Sequence, residues 1–268
     1  MKIKSLFLLT LLSSLFSTLS AQTGISVSPP RSYYTGTAGQ STTNTILVTN
    51  PSATHTLEMT VTLNDWKYDT QGSNVIQEPG TLPTSMASWI SIRPQSYFSL
   101  APGESREIEL VVTPPAGKES SDVPVHTALV YFTQTNPIDS FNESGALVKV
   151  SVRTGVKVYH RQPSAPAPDI DFYDFAYNKK AKQLKLGMVN QGNTWTDGTV
   201  VTDLVRQDDG TRIKMENVVV YTLPGDRREV VLPLPEKLKP GKYIASSTFT
   251  YEGDQELIKV AELTFTHE

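Results

Sequence analysis

The chain contains no cysteine. That excludes disulfide staples, thiolate metal sites and every mechanism built on a thiol nucleophile, so any core must hold by apolar burial alone. Charge of one sign is also lacking. With 24 basic and 27 acidic residues and a net charge of −3, the chain has no basic stripe to pair with a phosphate backbone, and nucleic acid is not an expected partner. The four histidines, His55, His126, His160 and His267, are too scattered for a zinc site. There is no Gly-x-Ser-x-Gly elbow, Walker loop or Gly-x-Gly-x-x-Gly fingerprint. Asp169, Asp171 and Asp174 lack the EF-hand spacing and its glycine, so they read as surface charge. The expectation is a protein without cofactor, metal or catalytic residues. Past the N-terminus no apolar run approaches the ~20 residues of a spanning helix, so stable membrane insertion is not expected.

What is present begins with Lys2 and Lys4, an apolar stretch from Leu6 to Leu15 and a small-residue flank at Ser20-Ala21-Gln22. This is the pattern of a secretory signal peptide over residues 1–21, cleaved near Ala21. No cysteine follows it, which leaves no site for lipid attachment there. An exported chain without cysteine fits a bacterial envelope.

Helical periodicity is nearly absent. Short alternating runs recur instead, bounded by Gly, Pro, Asn or Asp, and predict an all-β chain. In the first half they are Gly24 to Val27, Asn44 to Asn50, His55 to Trp66, Trp89 to Pro94, Arg106 to Thr113, His126 to Thr133 and Ala146 to Tyr159. About seven more run from Ile170 to Phe265, and roughly seven strands make one sandwich. Asn50-Pro51, Ala101-Pro102-Gly103 and Asp208-Asp209-Gly210 are turn signals, the last a hairpin. Residues 162–168 hold three prolines and no apolar pattern. They predict a stiff linker between a first domain at 22–161 and a second at 169–268. Trp66, Trp89 and Trp195 are assigned to packing.

The most informative segment runs from Ala146 to Arg161. It alternates almost without interruption, so Val148, Val150 and Val152 share one face of a strand and Lys149, Ser151 and Arg153 the other. Two readings stay open: a final sandwich strand with its valines in its own core, or an apolar ridge offered to another protein.

Here the sequence resembles the periplasmic pilus-assembly chaperones of the chaperone–usher pathway, built of two immunoglobulin-like domains. Val27-Ser28-Pro29-Pro30-Arg31-Ser32-Tyr33-Tyr34 looks like that family's short first strand leading to an arginine. Val148, Val150 and Val152, followed by Lys157-Val158-Tyr159-His160-Arg161 and a proline-containing linker, are similar to its last first-domain strand. Trp89 to Pro94 and Phe98 to Glu104 resemble the segment between. The family's acidic-basic pair before the penultimate strand is replaced by Asp122-Val123-Pro124-Val125-His126. The resemblance covers most of residues 24–165, while the second half has only the general sandwich pattern. It implies two immunoglobulin-like sandwiches, a periplasmic location, pilin-like subunits and an outer-membrane usher as partners, and a chaperone that lends a strand to its subunit. It puts Arg31 and Lys157 on the subunit's C-terminal carboxylate and Val148, Val150 and Val152 in the donated strand. The alternative is an envelope adhesion or scaffold protein of the same sandwich type that never donates a strand.

Overall fold

The computed structural model describes residues 24–116, 123–141, 144–253 and 256–268. The expected signal segment and Asp122 lie outside the described residues. Up to Arg161 the described chain forms β1 (Ser26–Ser28), β2 (Arg31–Thr35), β3 (Thr42–Thr49), β4 (Leu57–Tyr68), β5 (Asn74–Gln77), β6 (Ile90–Arg93), β7 (Tyr97–Leu100), β8 (Ser105–Val112), β9 (Val125–Gln134), β10 (Ile138–Phe141), β11 (Leu147–Val150) and β12 (Arg153–Arg161). Beyond it come β13 (Ile170–Asn178), β14 (Gln183–Asn190), β15 (Thr196–Arg206), β16 (Arg212–Lys214), β17 (Val218–Thr222), β18 (Arg227–Pro233), β19 (Gly241–Glu252) and β20 (Glu256–His267). The fold is all-β, as read from the alternating runs. Twelve and eight strands among the described residues replace the expected seven and seven. The additional ones, such as β2 and β5, are too short to display a period, and only a ladder partner makes them strands.

In the first sandwich the sheet β1-β3-β8-β6 faces the sheet β2-β12-β9-β4-β5, to which β7 adds by pairing with β4. Ile46, Val48, Ile108 and Leu110 from one sheet meet Met59, Val130, Phe132, Val156 and Val158 from the other, all buried. Strand β9 lies between β12 and β4 and is buried along nearly its whole length, the expected state of a central strand. In the second sandwich β13-β14-β18 packs on β16-β15-β19-β20, around Leu184, Leu186, Val200, Tyr243 and Phe249. Asp208-Asp209-Gly210 forms the expected hairpin turn between β15 and β16, with Gly210 at φ +72°.

One device recurs in both sandwiches. The buried Asn50 side chain donates to the carbonyls of His55, Leu100 and Ala101, and its Oδ1 accepts from the Ser52 N–H. Asn190 donates to Thr194 O, Thr196 Oγ1 and Thr222 Oγ1, and accepts from the Gly192 N–H. Each faces a Pro-Gly-acid turn whose carboxylate, Glu104 or Asp226, accepts the N–H three residues before it, at 2.7 and 2.8 Å. A fully satisfied buried amide fixes one corner of each sandwich at the same relative place.

Two sequence features decide the shape of one sheet edge. Pro29 and Pro30 have no N–H for a ladder, so the chain crosses there from β1, paired with β3, to β2, paired in parallel with β12. That pairing begins at Arg31 opposite Lys157 and runs to Thr35 opposite Arg161. Among the described residues, no strand pairs with Arg153 to Val156 on the side away from β9.

The run from Ala146 to Arg161 is not one strand, which corrects the sequence reading. β11 pairs only with β10, as a separate two-stranded hairpin, with Val150 opposite Ile138 and Val148 opposite Ser140. Ser151 and Val152 break the ladder: Ser151 Oγ donates to Gln134 O at 2.6 Å, and Gln134 N–H donates to Val152 O at 2.9 Å. Between paired positions the β9–β10 side carries Thr135-Asn136-Pro137, and Pro137 again lacks a donor. Val148, Val150 and Val152 are half-buried and none belongs to the core cluster.

Candidate functional site

The odd-numbered residues of β12, from Gly155 through Lys157 and Tyr159, face away from the first core, because successive side chains of a strand alternate while Val156 and Val158 point inward. On β2 the same alternation buries Ser32 and Tyr34 and turns Arg31 and Tyr33 outward. Cross-strand pairing therefore stands Arg31 beside Lys157 and Tyr33 beside Tyr159.

These side chains meet the second sandwich in a third apolar cluster. Trp66, Tyr68, Leu129 and Tyr159 come from the first sandwich and Leu223 from the second, with Trp195 and Tyr221 packed against them. Tyr33 stacks on Tyr159 with ring centroids 5.0 Å apart and lies 5.0 Å from Trp195. A backbone bond from Glu229 N–H to Thr70 O, 2.7 Å, adds to the junction. The segment between β12 and β13 is tied down as well. Ala167 N–H donates to Asn193 Oδ1 at 2.7 Å, and a Cβ on Gly192 would sit 2.4 Å from the Ala167 carbonyl, so only glycine fits beneath it.

Beside this junction lies an open cavity of about 680 Å³, lined at one end by Arg31 and Lys157. Lys157 Nζ donates to Tyr68 Oη at 3.0 Å and Asn74 Oδ1 at 2.7 Å, and it lies 4.1 Å from the Trp66 ring centroid and 4.3 Å from that of Tyr68. An ammonium has three donors, and these acceptors use two. Burial first, then the neighbouring Arg31 charge, pushes Lys157 down to about 8, with Asp197 working in the opposite direction. The Arg31 guanidinium lies 4.1 Å from the Tyr221 ring centroid and 3.7 Å from Asp197 Oδ2 on β15. None of the residues lining the cavity is acidic. Two adjacent, partly desolvated cations with apolar walls can hold a carboxylate through charge-assisted hydrogen bonds worth about 1.5–3 kcal/mol each.

The structure thus brings Arg31 and Lys157 together and leaves Val148 and Val150 on the far side of the Ser151–Val152 break, with Val152 in the break itself. Sequence reading missed Asp197, Asn74, Tyr68 and Tyr221, which carry no local motif and reach the cleft only through packing. Trp66 is fully buried and packs as expected, and it also gives its ring face to Lys157. Among the described residues no group of three or more His, Asp or Glu could hold a metal ion.

No protein-family model matches the chain, and no curated protein matches its sequence. Solved structures match its fold. The YadV chaperone covers 89% of this chain and 99% of its own, with a TM-score of 0.50 at 15% sequence identity. The E. coli chaperone DraB covers 91% of this chain and 98% of its own, with a TM-score of 0.48 at 16% identity. The chain has the fold of a solved chaperone, at an identity that carries the fold and nothing finer.

Proposed function

We propose that this protein is a periplasmic chaperone that captures pilin-like subunits lacking a strand, anchors their C-terminal carboxylate on Arg31 and Lys157, and delivers them to an outer-membrane usher. One observation carries the reading. The unpaired edge of β12 runs from Arg153 to Val156 and ends where β2 takes over, at the paired cations Arg31 and Lys157. A strand added there parallel to β12, in line with β2, brings its C-terminus to those cations. Backbone ladder bonds then hold the strand, and the carboxylate sets its register. The likeness of fold to the YadV chaperone supports the class of protein, and the sequence resemblance supplies the partners. In this reading Val148, Val150 and Val152 form the apolar ridge lent to the subunit; all three are half-buried and none of them belongs to the core cluster.

The test is co-purification from an envelope fraction with wild type, Arg31→Ala and Lys157→Ala, each checked for folding by circular dichroism. Both variants are expected to fold and to lose the bound subunit. Retention of subunit by both would remove the carboxylate anchor from consideration.

A further inference from the structure

The core-facing side of the first sandwich carries a row of rings near one end. Tyr34 on β2, His160 on β12 and His126 on β9 stand level with one another, and all three are buried. The alternation that turns Lys157 and Tyr159 outward turns His160 inward, with Val156 and Val158. Tyr34 Oη donates to the Leu110 carbonyl at 2.9 Å. His160 has no such outlet. At 2% exposure, neither its Nδ1 nor its Nε2 has a hydrogen-bond partner. The Gly36 backbone approaches the ring, and a Cβ there would lie 3.8 Å from Nε2, but no hydrogen bond forms. A buried imidazole with both nitrogens unpartnered is a rare state that calls for a physical reason. Its cross-strand neighbour is a second buried imidazole, and the two rings do not hydrogen-bond each other. Trp89, half-buried, packs on both, with ring centroids 4.4 Å from His126 and 5.5 Å from His160.

We propose that His126 and His160 form a two-coordinate site for a soft monovalent d10 cation, copper(I) or silver(I), capped by Trp89. The inference is independent of the carboxylate-anchor reading. Level residues on adjacent strands have Cβ atoms about 4.5–5.5 Å apart, so one nitrogen of each ring can reach a cation between them through bonds of about 2 Å. Such ions are satisfied by two nitrogen donors in line, whereas zinc(II) takes four ligands in a tetrahedron and calcium six or more oxygens. Among the described residues no Asp or Glu joins the pair to make a group of three. A divalent charge buried here would go uncompensated. Burial keeps both imidazoles neutral at neutral pH, pushing His126 down to about 4 and lowering His160, and the neutral ring is the form that binds metal. The indole adds cation–π attraction in a dry setting. A cation held there stitches β9 to β12 on the same strand that carries Lys157.

The probe is silver(I), which needs no reductant, titrated into the purified protein in chloride-free buffer. NMR of the histidine rings in wild type is expected to move the His126 and His160 resonances at one equivalent and to leave His55 and His267 in place. Tryptophan emission is expected to fall in wild type and not in Trp89→Phe. His126→Phe is expected to weaken silver(I) binding about a hundredfold and Trp89→Phe several-fold. The melting temperature should rise with silver(I) in wild type and not in His126→Phe. If His126→Phe does not fold, the wild-type ring spectra decide the matter alone. No saturable binding, or saturation at His55 or His267 with the buried pair unmoved, overturns the proposal. Zinc(II) moving the same two rings with equal affinity overturns it as well, because it would require ligands beyond the pair.

Discussion

The Asp197 carboxylate, near the start of β15 in the second sandwich, stands 3.7 Å from the Arg31 guanidinium at the start of β2 in the first. It also feels the charge of Lys157. Burial raises its pKa, and the two cations pull against that rise. Asp197 is therefore a resident anion beside the site where an external carboxylate would bind. Replacing it by asparagine keeps the shape and removes the competing charge. Asp197→Asn is expected to tighten binding of a carboxylate-ended peptide about three- to tenfold. An unchanged or weaker dissociation constant would mean that Asp197 positions Arg31 rather than competing for it.

Lys157 gives the cleft a pH dependence near neutrality. With its pKa pushed down to about 8, the ammonium is charged below that pH and free to hold a carboxylate. Between about 8 and the ordinary 10.5 the folded protein has released a proton that the unfolded chain keeps, so stability rises with pH across this window while carboxylate binding falls. Peptide affinity is expected to weaken several-fold between pH 7 and 9.5, and Lys157→Arg to flatten the profile, because arginine does not titrate there. A wild-type profile as flat as that of the arginine variant would take Lys157 out of the anchor.

Acid should weaken the first sandwich through a different pair. His126 and His160 face each other across β9 and β12, both buried, with Trp89 ring centroids 4.4 and 5.5 Å away. Burial, reinforced by His160, pushes His126 down to about 4, and burial lowers His160 too. The unfolded chain takes up protons near 6.5 while the folded one resists. The stabilising contribution is thus complete above about 6.5 and is lost as pH falls toward 4. The melting temperature is expected to fall by about 5 °C between pH 7.5 and 5, with less loss in His126→Phe. Parallel losses in wild type and variant would assign the acid limit to other groups.

The two ends of the former alternating run should respond differently to the same change. Val158 is fully buried in the core, whereas Val150 is half-buried in the β10–β11 hairpin. Val158→Asp buries an unpaired carboxyl and is expected to cost more than about 4 kcal/mol, enough to unfold the sandwich. Val150→Asp is expected to shift stability by less than about 1 kcal/mol and to abolish subunit capture. Thermal melts alongside co-purification read both. Unimpaired capture by Val150→Asp would favour a protein that lends no strand.

The break at Ser151–Val152 marks where pattern reading stopped working. Val148, Val150, Val152 and then Val156 and Val158 keep one parity throughout, and a period of two says nothing about which neighbour supplies the ladder. The interruption is set on the opposing segment by Gln134, 17 residues before Ser151, which takes the bonds of Ser151 and Val152. Arg31 and Lys157 were legible only through resemblance to a family. Asp197, Asn74 and Tyr68 had no local signal, since a lone aspartate or tyrosine in a strand looks the same whether it faces water or a cleft.

By itself the sequence determined an all-β chain, because short alternating runs punctuated by Gly, Pro and Asn leave helices no face to bury. It also determined that the two prolines at 29 and 30 could not extend a ladder, because the missing N–H is a property of the residue. Tertiary structure alone decided that β2 resumes on the edge of β12 with Arg31 opposite Lys157, and that Asp197 reaches them from the second sandwich. Register and junction contacts are relations between distant segments, fixed by which cores those segments bury together, and no local pattern encodes them.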